Sequence, residues 1–509
     1  MAFMRIILPV LLCWFFLFPQ SGPAALKNQQ YDPWKDQTTE TYEIYARIIS
    51  FYLQMFDRTG KKEYLYKAIY FSETRNLHVY ESIPGIPTPV KIHTFAELNI
   101  PLIRQKLKPG QVIIKYTLSK DDVYAFYIEK NAVGYRKLDI TTSQLVDLVR
   151  RLTEPLEDFT RGGVDYLRVH FDLPLARQLY NILLGHFKKR RQHGTGTTRE
   201  IFIIPDRELF KLPFEALVTG FNRRDPEPDV IFSEYASAGY LIEDYAVSYF
   251  LSLFDILKKA EKAPPAGAPV KKYTLSAFGG PTIRNVPMPG NSNENNGLKF
   301  PREIPASRRE ILDIAAIFGK KESRIFLADL FDRKNFETFA PRSRVIHIAT
   351  HFFNNIEHPQ HSALVFSSPG GGGNAAVDYY YAYEVFKLKL DADLVVLSAC
   401  ESSEKHLEGL QGLMGMTASF RNAGARAMIV SMWPVDEYNS QLIPLFYRQY
   451  REGNPNAAAL RAAKLQFMGQ TAVLVNGLKI SFSHPFLWAD YILYNFGLPL
   501  ALRGPKTFL

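Results

Sequence analysis

Two runs of strand length constrain this chain more than any other feature. Residues 344–353 read RVIHIATHFF and residues 394–403 read LVVLSACESS. Both are dense in branched aliphatic residues and lack the polar–apolar alternation of a strand with one face in water. Each therefore predicts a strand buried on both faces. Comparable runs recur from residue 199 onward, in EIFIIP, YAVSYF, YTLSAFGG and ARAMIVSMWP. Helical patterns lie between them: around LPFEAL, over PASRREILDIAAIFG, and over residues 409–423, 437–451 and 457–468, before a closing FLWADYILYNFG. Strands alternating with helices imply a mostly parallel sheet with helices on both faces.

Ahead of that region, residues 38–82 carry two helical patterns around the turn DRTGKK, with apolar and aromatic residues at three- and four-residue spacing. They resemble one tetratricopeptide-type hairpin. No second copy follows at a fixed period, and a lone repeat cannot bury its own face, so the hairpin is expected to pack on the rest of the chain. The Pro-rich ESIPGIPTPVKIH connects it to a strand pair, QVIIKYTL and DVYAFYIEK, and to helices over residues 142–159 and 174–190. At the N-terminus, Arg5 precedes an apolar run over residues 6–18, followed by PQSGPAAL. That is the pattern of a secretory signal peptide, with cleavage after Ala24 or Ala25. The run is short for a bilayer span of about 20 residues, and an uncleaved anchor is the alternative. The expected organisation is a signal peptide over 1–25, the tetratricopeptide-like hairpin and connector over 26–98, an α+β region over 99–173, and an α/β domain over 174–509.

Basic residues outnumber acidic ones by 61 to 51, a net charge of +10 that favours solubility and acidic partners. The densest basic run, HFKKRRQH at 186–193, has no interleaved aromatics beyond Phe187. It reads as a solvated helix end, and no nucleic-acid partner is expected. SPGGGGN at 368–374 lacks the Lys-Ser/Thr of a phosphate loop. The chain has two cysteines, Cys13 and Cys400, and signal cleavage leaves Cys400 alone. A sole thiol in an exported protein is either a buried inert group or one kept for its reactivity.

In an open α/β sheet, functional groups gather at the carboxyl ends of the strands. His351 and Cys400 each stand just past an apolar run, 49 residues apart (400 − 351). If their strands are adjacent and parallel, the imidazole meets the thiol. It would take the thiol proton and later protonate a leaving amine. The backbone N–H groups of Cys400 and Phe352 are the expected oxyanion donors. On the residues alone, a small core cysteine and a satisfied histidine remain the alternative. A metal is not expected on HIATH, because residues four apart on a strand are about 13 Å apart. His347 is expected as a same-face neighbour that packs under or orients the site.

In order along the chain come IIPDRELFKLPFEAL, HIATH, ADLVVLSACESS, GLQGLMGMTASFRNAGARAMIVSMWPVDE, ALRAAKLQF and PFLWADYIL. Together they resemble the CHAT domain, a bacterial relative of caspases and separases that often follows tetratricopeptide repeats. The resemblance implies a caspase-like three-layer αβα sandwich, with His351 as catalytic histidine and Cys400 as nucleophile. It implies a cysteine endopeptidase, exported as the N-terminal pattern indicates, that needs no cofactor and acts on a protein or peptide substrate, with a regulatory protein as a further partner. Membrane contact is expected only if the N-terminal segment is retained. The alternative is a catalytically weakened scaffold that binds peptides or partner proteins. The family's histidine is usually followed by glycine, whereas here Phe352 follows, and a bulky residue does not share glycine's dihedral freedom. Asp206 corresponds to a loop where caspase relatives place substrate-pocket residues and would accept a basic P1 side chain; a local turn cap is the alternative. Trp433 and Asp436 follow another strand end and would line the cleft, though Trp433 equally suits the core. The glycines at 409, 412 and 415 predict close helix-to-sheet packing, with a mobile loop over the nucleophile as the alternative.

Overall fold

The computed structural model describes residues 39–81, 94–157, 169–188, 199–221, 225–257, 269–282, 305–355, 358–368, 378–401, 410–433, 438–473 and 477–498. The signal-peptide segment, the Pro-rich connector, most of the basic run, the Gly-rich turn, Gly409 and Asp436 lie outside the described residues.

Helices α1 (Thr39–Thr59) and α2 (Lys62–Glu81) pack as a hairpin, with Gly60 at φ +65° in the turn, a left-handed conformation that costs glycine little. Then follow β1 (Gln111–Leu118), β2 (Val123–Glu129), β3 (Val133–Leu138), α3 (Thr142–Glu157), α4 (Leu173–Leu183), β4 (Arg199–Ile204), β5 (Tyr245–Tyr249) and β6 (Tyr273–Gly279). The second half runs through α5 (Pro305–Phe318), β7 (Ser323–Leu327), β8 (Ser343–Phe353), β9 (Ala363–Phe366), β10 (Asp378–Tyr381), α6 (Ala382–Lys387) and β11 (Leu394–Glu401). It closes with α7 (Leu410–Ala423), β12 (Ala427–Ser431), α8 (Leu442–Arg451), α9 (Asn456–Met468) and β13 (Tyr491–Asn495). These strands form one 13-stranded mixed sheet in the order β7-β6-β8-β11-β12-β13-β5-β4-β1-β2-β3, with β9 and β10 added beside the end of β8.

The ladder directions divide this sheet into two blocks. β7, β6, β8, β11 and β12 are mutually parallel, β13 is antiparallel to β12, and β5, β4 and β1 follow β13. The carboxyl ends of β8 and β4 therefore lie on opposite edges of the sheet. Burial on both faces, expected from the aliphatic runs, holds along β8, where every residue but Arg344 is buried. On β1, Ile113 belongs to the apolar cluster under the hairpin, whereas Val112, Ile114 and Tyr116 belong to the larger core on the other face.

One helix expected from the sequence does not form. LPFEAL folds as two 3₁₀ turns, Arg207–Lys211 and Phe214–Ala216. Pro213 between them has no N–H and turns Leu212 extended, at ψ 117°. Strands β3, β7, β9 and β10 were not apparent in the sequence, β3, β7 and β10 being short and mixed in polarity and β9 only four residues long.

Polar pairs as well as apolar packing fix the hairpin to the sheet. Glu73 of α2 lies 2.8 Å from the ammonium of Lys115 in mid-β1, and both are buried. The same carboxylate accepts from Ser252 Oγ at 2.6 Å and Leu253 N at 3.0 Å. Arg75 pairs with Asp206 and donates to the Leu118 carbonyl at 2.7 Å. With these groups out of water, the hairpin is an integral part of the fold, as the sequence led us to expect.

Candidate active site

Strands β8 and β11 are parallel neighbours, and their register sets His351 opposite Cys400. Residues paired in a ladder point to the same face, about 4.8 Å apart between strands. The sheet thus brings the two residues singled out in the sequence side by side at its carboxyl edge. His351 is 6 % exposed. Cys400 is placed by its backbone, and its side chain lies outside what is described.

Beneath this pair, on the same face, lies a buried polar network. His347, four residues before His351, has Nε2 3.3 Å from Glu310 Oε1 of α5 and Nδ1 3.3 Å from the Tyr447 hydroxyl of α8. Ser398, two residues before Cys400, donates to Glu310 Oε2 at 3.0 Å and lies 2.8 Å from the Tyr491 hydroxyl of β13. Burial pushes the Tyr447 hydroxyl well above the ordinary tyrosine range, with the Glu310 charge adding to the shift, so it stays protonated. One carboxylate thus bridges the two strands that carry His351 and Cys400. Ser431 of β12 reinforces the spacing by donating to the Ala399 carbonyl at 2.9 Å. His347 sits as expected for a same-face neighbour; Glu310, far away in sequence on an amphipathic helix, gave no signal that it would lie below the site.

The remaining candidates are distributed differently. Phe352 is 3 % exposed and stays within β8, with Leu364 opposite it on one side and Glu401 on the other. Asp206 is not at this edge. It lies past the carboxyl end of β4, five strands away and on the opposite edge. It is 1 % exposed, and its Oδ2 is taken by Arg75 and by the Leu118 N–H at 2.6 Å. It serves as a structural latch for α2 and offers no free carboxylate to a P1 side chain. The expectation came from the resemblance to caspase relatives, whose corresponding loop places substrate-pocket residues, and here the reversed strand direction carries that loop to the other edge. Trp433 does follow β12 at the right edge, but it is 4 % exposed and its Nε1 donates to the Phe486 carbonyl at 2.9 Å. It packs in the core.

The glycines of α7 serve a packing role, though against a different neighbour from the one expected. A Cβ on Gly412 would stand 1.7 Å from Asn354 Oδ1 and 2.4 Å from Ser362 Oγ, and one on Gly415 would meet Pro359 at 3.1 Å. The glycine face of the helix after Cys400 therefore rests on the segment after His351, while Met414 of the same helix meets the sheet through the Tyr494 hydroxyl. Gly412→Ala gains about 1 kcal/mol of helix propensity but overpacks a site whose neighbours are buried, which costs about 1–3 kcal/mol. A lowered midpoint in thermal unfolding is the expected net result.

A mixed sheet flanked by helices, with a histidine and a cysteine paired on adjacent parallel strands, defines the class. Within that class the chain belongs to the CHAT domain family, whose model matches residues 173–495. Human tetratricopeptide repeat protein 28 is 22% identical over 402 residues, which cover 72% of this chain and 15% of that protein. The mouse protein of the same name is 23% identical over 378 residues, covering 66% and 14%. The chain thus spans only about a seventh of the length of these relatives. Among solved structures, a chain of the Saccharomyces cerevisiae separase–securin complex aligns with a TM-score of 0.45 and 11% identity, over 86% of this chain and 34% of that one.

Proposed function

We propose that this protein is a cysteine endopeptidase in which His351 is the general acid/base and Cys400 the nucleophile. The observation that carries the reading is the register match of these two residues on adjacent parallel strands. The thiol proton passes to the imidazole as sulfur attacks the scissile carbonyl carbon. The C–S bond forms, the C–N bond breaks, and the amine leaves with the proton from His351. Water then attacks the thioester, giving the new carboxyl end and restoring the thiol. The Cys400 N–H is one oxyanion donor. The Phe352 N–H becomes a second once the end of β8 parts from a neighbouring strand. Nothing in this scheme calls for a cofactor. The partner is a peptide or protein substrate, and the hairpin offers a regulatory protein a place to act. Residues 1–25 direct export and are removed.

The runner-up reading is a scaffold that holds peptides without cutting them. Phe352, where the family usually has glycine, is the observation that favours it. Digestion of a diverse peptide pool separates the two. The protein should generate new termini that neither Cys400→Ala nor His351→Ala generates at a comparable rate; equally poor digestion by all three would leave the scaffold.

A further inference from the structure

The sheet continues beyond His351. Phe353 pairs with Ala363 of β9, which pairs with Tyr381 of β10, and Val365 pairs with Tyr379. Val365 stays against this part of β8, its carbonyl accepting from Thr350 Oγ1 at 2.5 Å, so continuing the register by one residue sets Val365 and Tyr379 level with His351, on the same face. From there the rings form an unbroken strip: Phe353 to Tyr379 at 5.9 Å, Tyr379 to Tyr381 at 6.2 Å, Tyr381 to Tyr383 at 5.4 Å, the last pair 11° from parallel. Exposed His361 borders Tyr381 and Tyr383 at 6.1 and 6.0 Å. Tyr379, Tyr381 and Tyr383 are half-buried.

The strip rests on a fixed base. Tyr380, facing the other way, is in the core at 1 % exposure, and Arg333 holds Asp378 at 2.9 Å and Glu384 at 2.5 Å. Among the described residues β10 pairs only with β9, and the Tyr379 hydroxyl is out of water with no hydrogen-bond partner. An edge of near-parallel tyrosine rings suits a backbone that keeps its carbonyls free.

We propose that this strip binds a proline-bearing flank of the peptide substrate in the left-handed extended conformation. The inference rests on the peptidase reading for its location beside the dyad. Such a segment advances about 6.2 Å per two residues and leaves its carbonyls unpaired, which matches the 6.2 and 5.4 Å ring spacing. Aromatic-lined grooves recognise it because it is ordered before binding. Two strand spacings separate His351 from Tyr379, about 10 Å, so the flank starts about three residues from the scissile bond.

The test uses the full chain carrying Cys400→Ala and a fluorescein-labelled peptide of about twelve alternating alanine and proline residues, long enough to cover the strip. Fluorescence anisotropy should show saturable binding that weakens at least about fivefold when serine replaces proline. Tyr383→Ala should weaken it by roughly five- to tenfold, as loss of an anchoring aromatic does, and Tyr383→Phe should keep it within about twofold. Should the alanine variant melt early, Tyr383→Gln repeats the comparison. Equal binding of the proline and serine peptides, or indifference to Tyr383→Ala, overturns the proposal. The two readings fail separately. Tyr383-dependent binding with no cleavage of any peptide by the unaltered protein sinks the dyad and leaves the surface standing. Cleavage of short peptides whose KM does not fall when the proline flank is attached sinks the surface and leaves the dyad.

Discussion

His351→Ala is expected to lower kcat/KM for peptide cleavage by about 10²- to 10⁴-fold, the range that removing a working general base produces, and Cys400→Ala to abolish it. The size of the loss follows from the step that each residue carries. Without the imidazole the thiol ionises only to the extent that a free cysteine does near neutral pH, and the leaving amine has no positioned proton donor. Neither substitution should disturb the fold. The floor beneath the pair is held by Glu310, His347, Ser398 and Tyr491, and none of those contacts passes through residues 351 or 400. Unchanged thermal unfolding alongside lost cleavage, measured on the same preparations, is the expected combination. A loss of cleavage that tracks a loss of folded protein would count against the assignment.

Asp206→Ala is expected to cost about 3–5 kcal/mol of stability, because it leaves a buried charge without its partner. Arg75 is 2 % exposed, and its guanidinium would lose this carboxylate while still donating to the Leu118 carbonyl. The Leu118 N–H would lose its acceptor as well. Because Arg75 lies on α2, the hairpin should loosen first, seen as early proteolysis within residues 39–81 together with a lower urea midpoint. Arg75→Met, which removes the charge but keeps bulk, leaves the Asp206 carboxylate buried alone and should destabilise to a similar degree. An Asp206→Ala protein as stable as its parent but altered in its preference at P1 would restore the substrate-pocket role that the sheet topology argues against.

How far the sequence revealed this molecule depended on range. The aliphatic runs of β8 and β11 announced buried parallel strands, and the placement of His351 and Cys400 at their ends pointed to the edge where the structure sets them opposite each other. The reversal of direction at β13 left no such mark, because YILYN reads the same whichever way it pairs. Nothing local in the sequence therefore corrected the placement of Asp206 in the cleft that the family resemblance implied. The polar residues of α2 were ambiguous for a related reason. SETR looks like a solvated face until Glu73 and Arg75 are seen to meet Lys115 and Asp206. The hairpin of β9 and β10 escaped because DYYY alternates nothing apolar with polar, so the aromatic strip became visible only through cross-strand register.

The account turns on whether an imidazole and a sulfur atom share a proton at the edge of the sheet. The most direct test is the pH dependence of alkylation of Cys400 by iodoacetamide, followed by peptide mass on protein with Cys13 absent or replaced. The account predicts thiolate reactivity persisting well below the ordinary thiol value of about 8.5, and in His351→Ala a single titration returned to that value. One ordinary titration in both proteins, or a thiol that reacts only after denaturation, would contradict it.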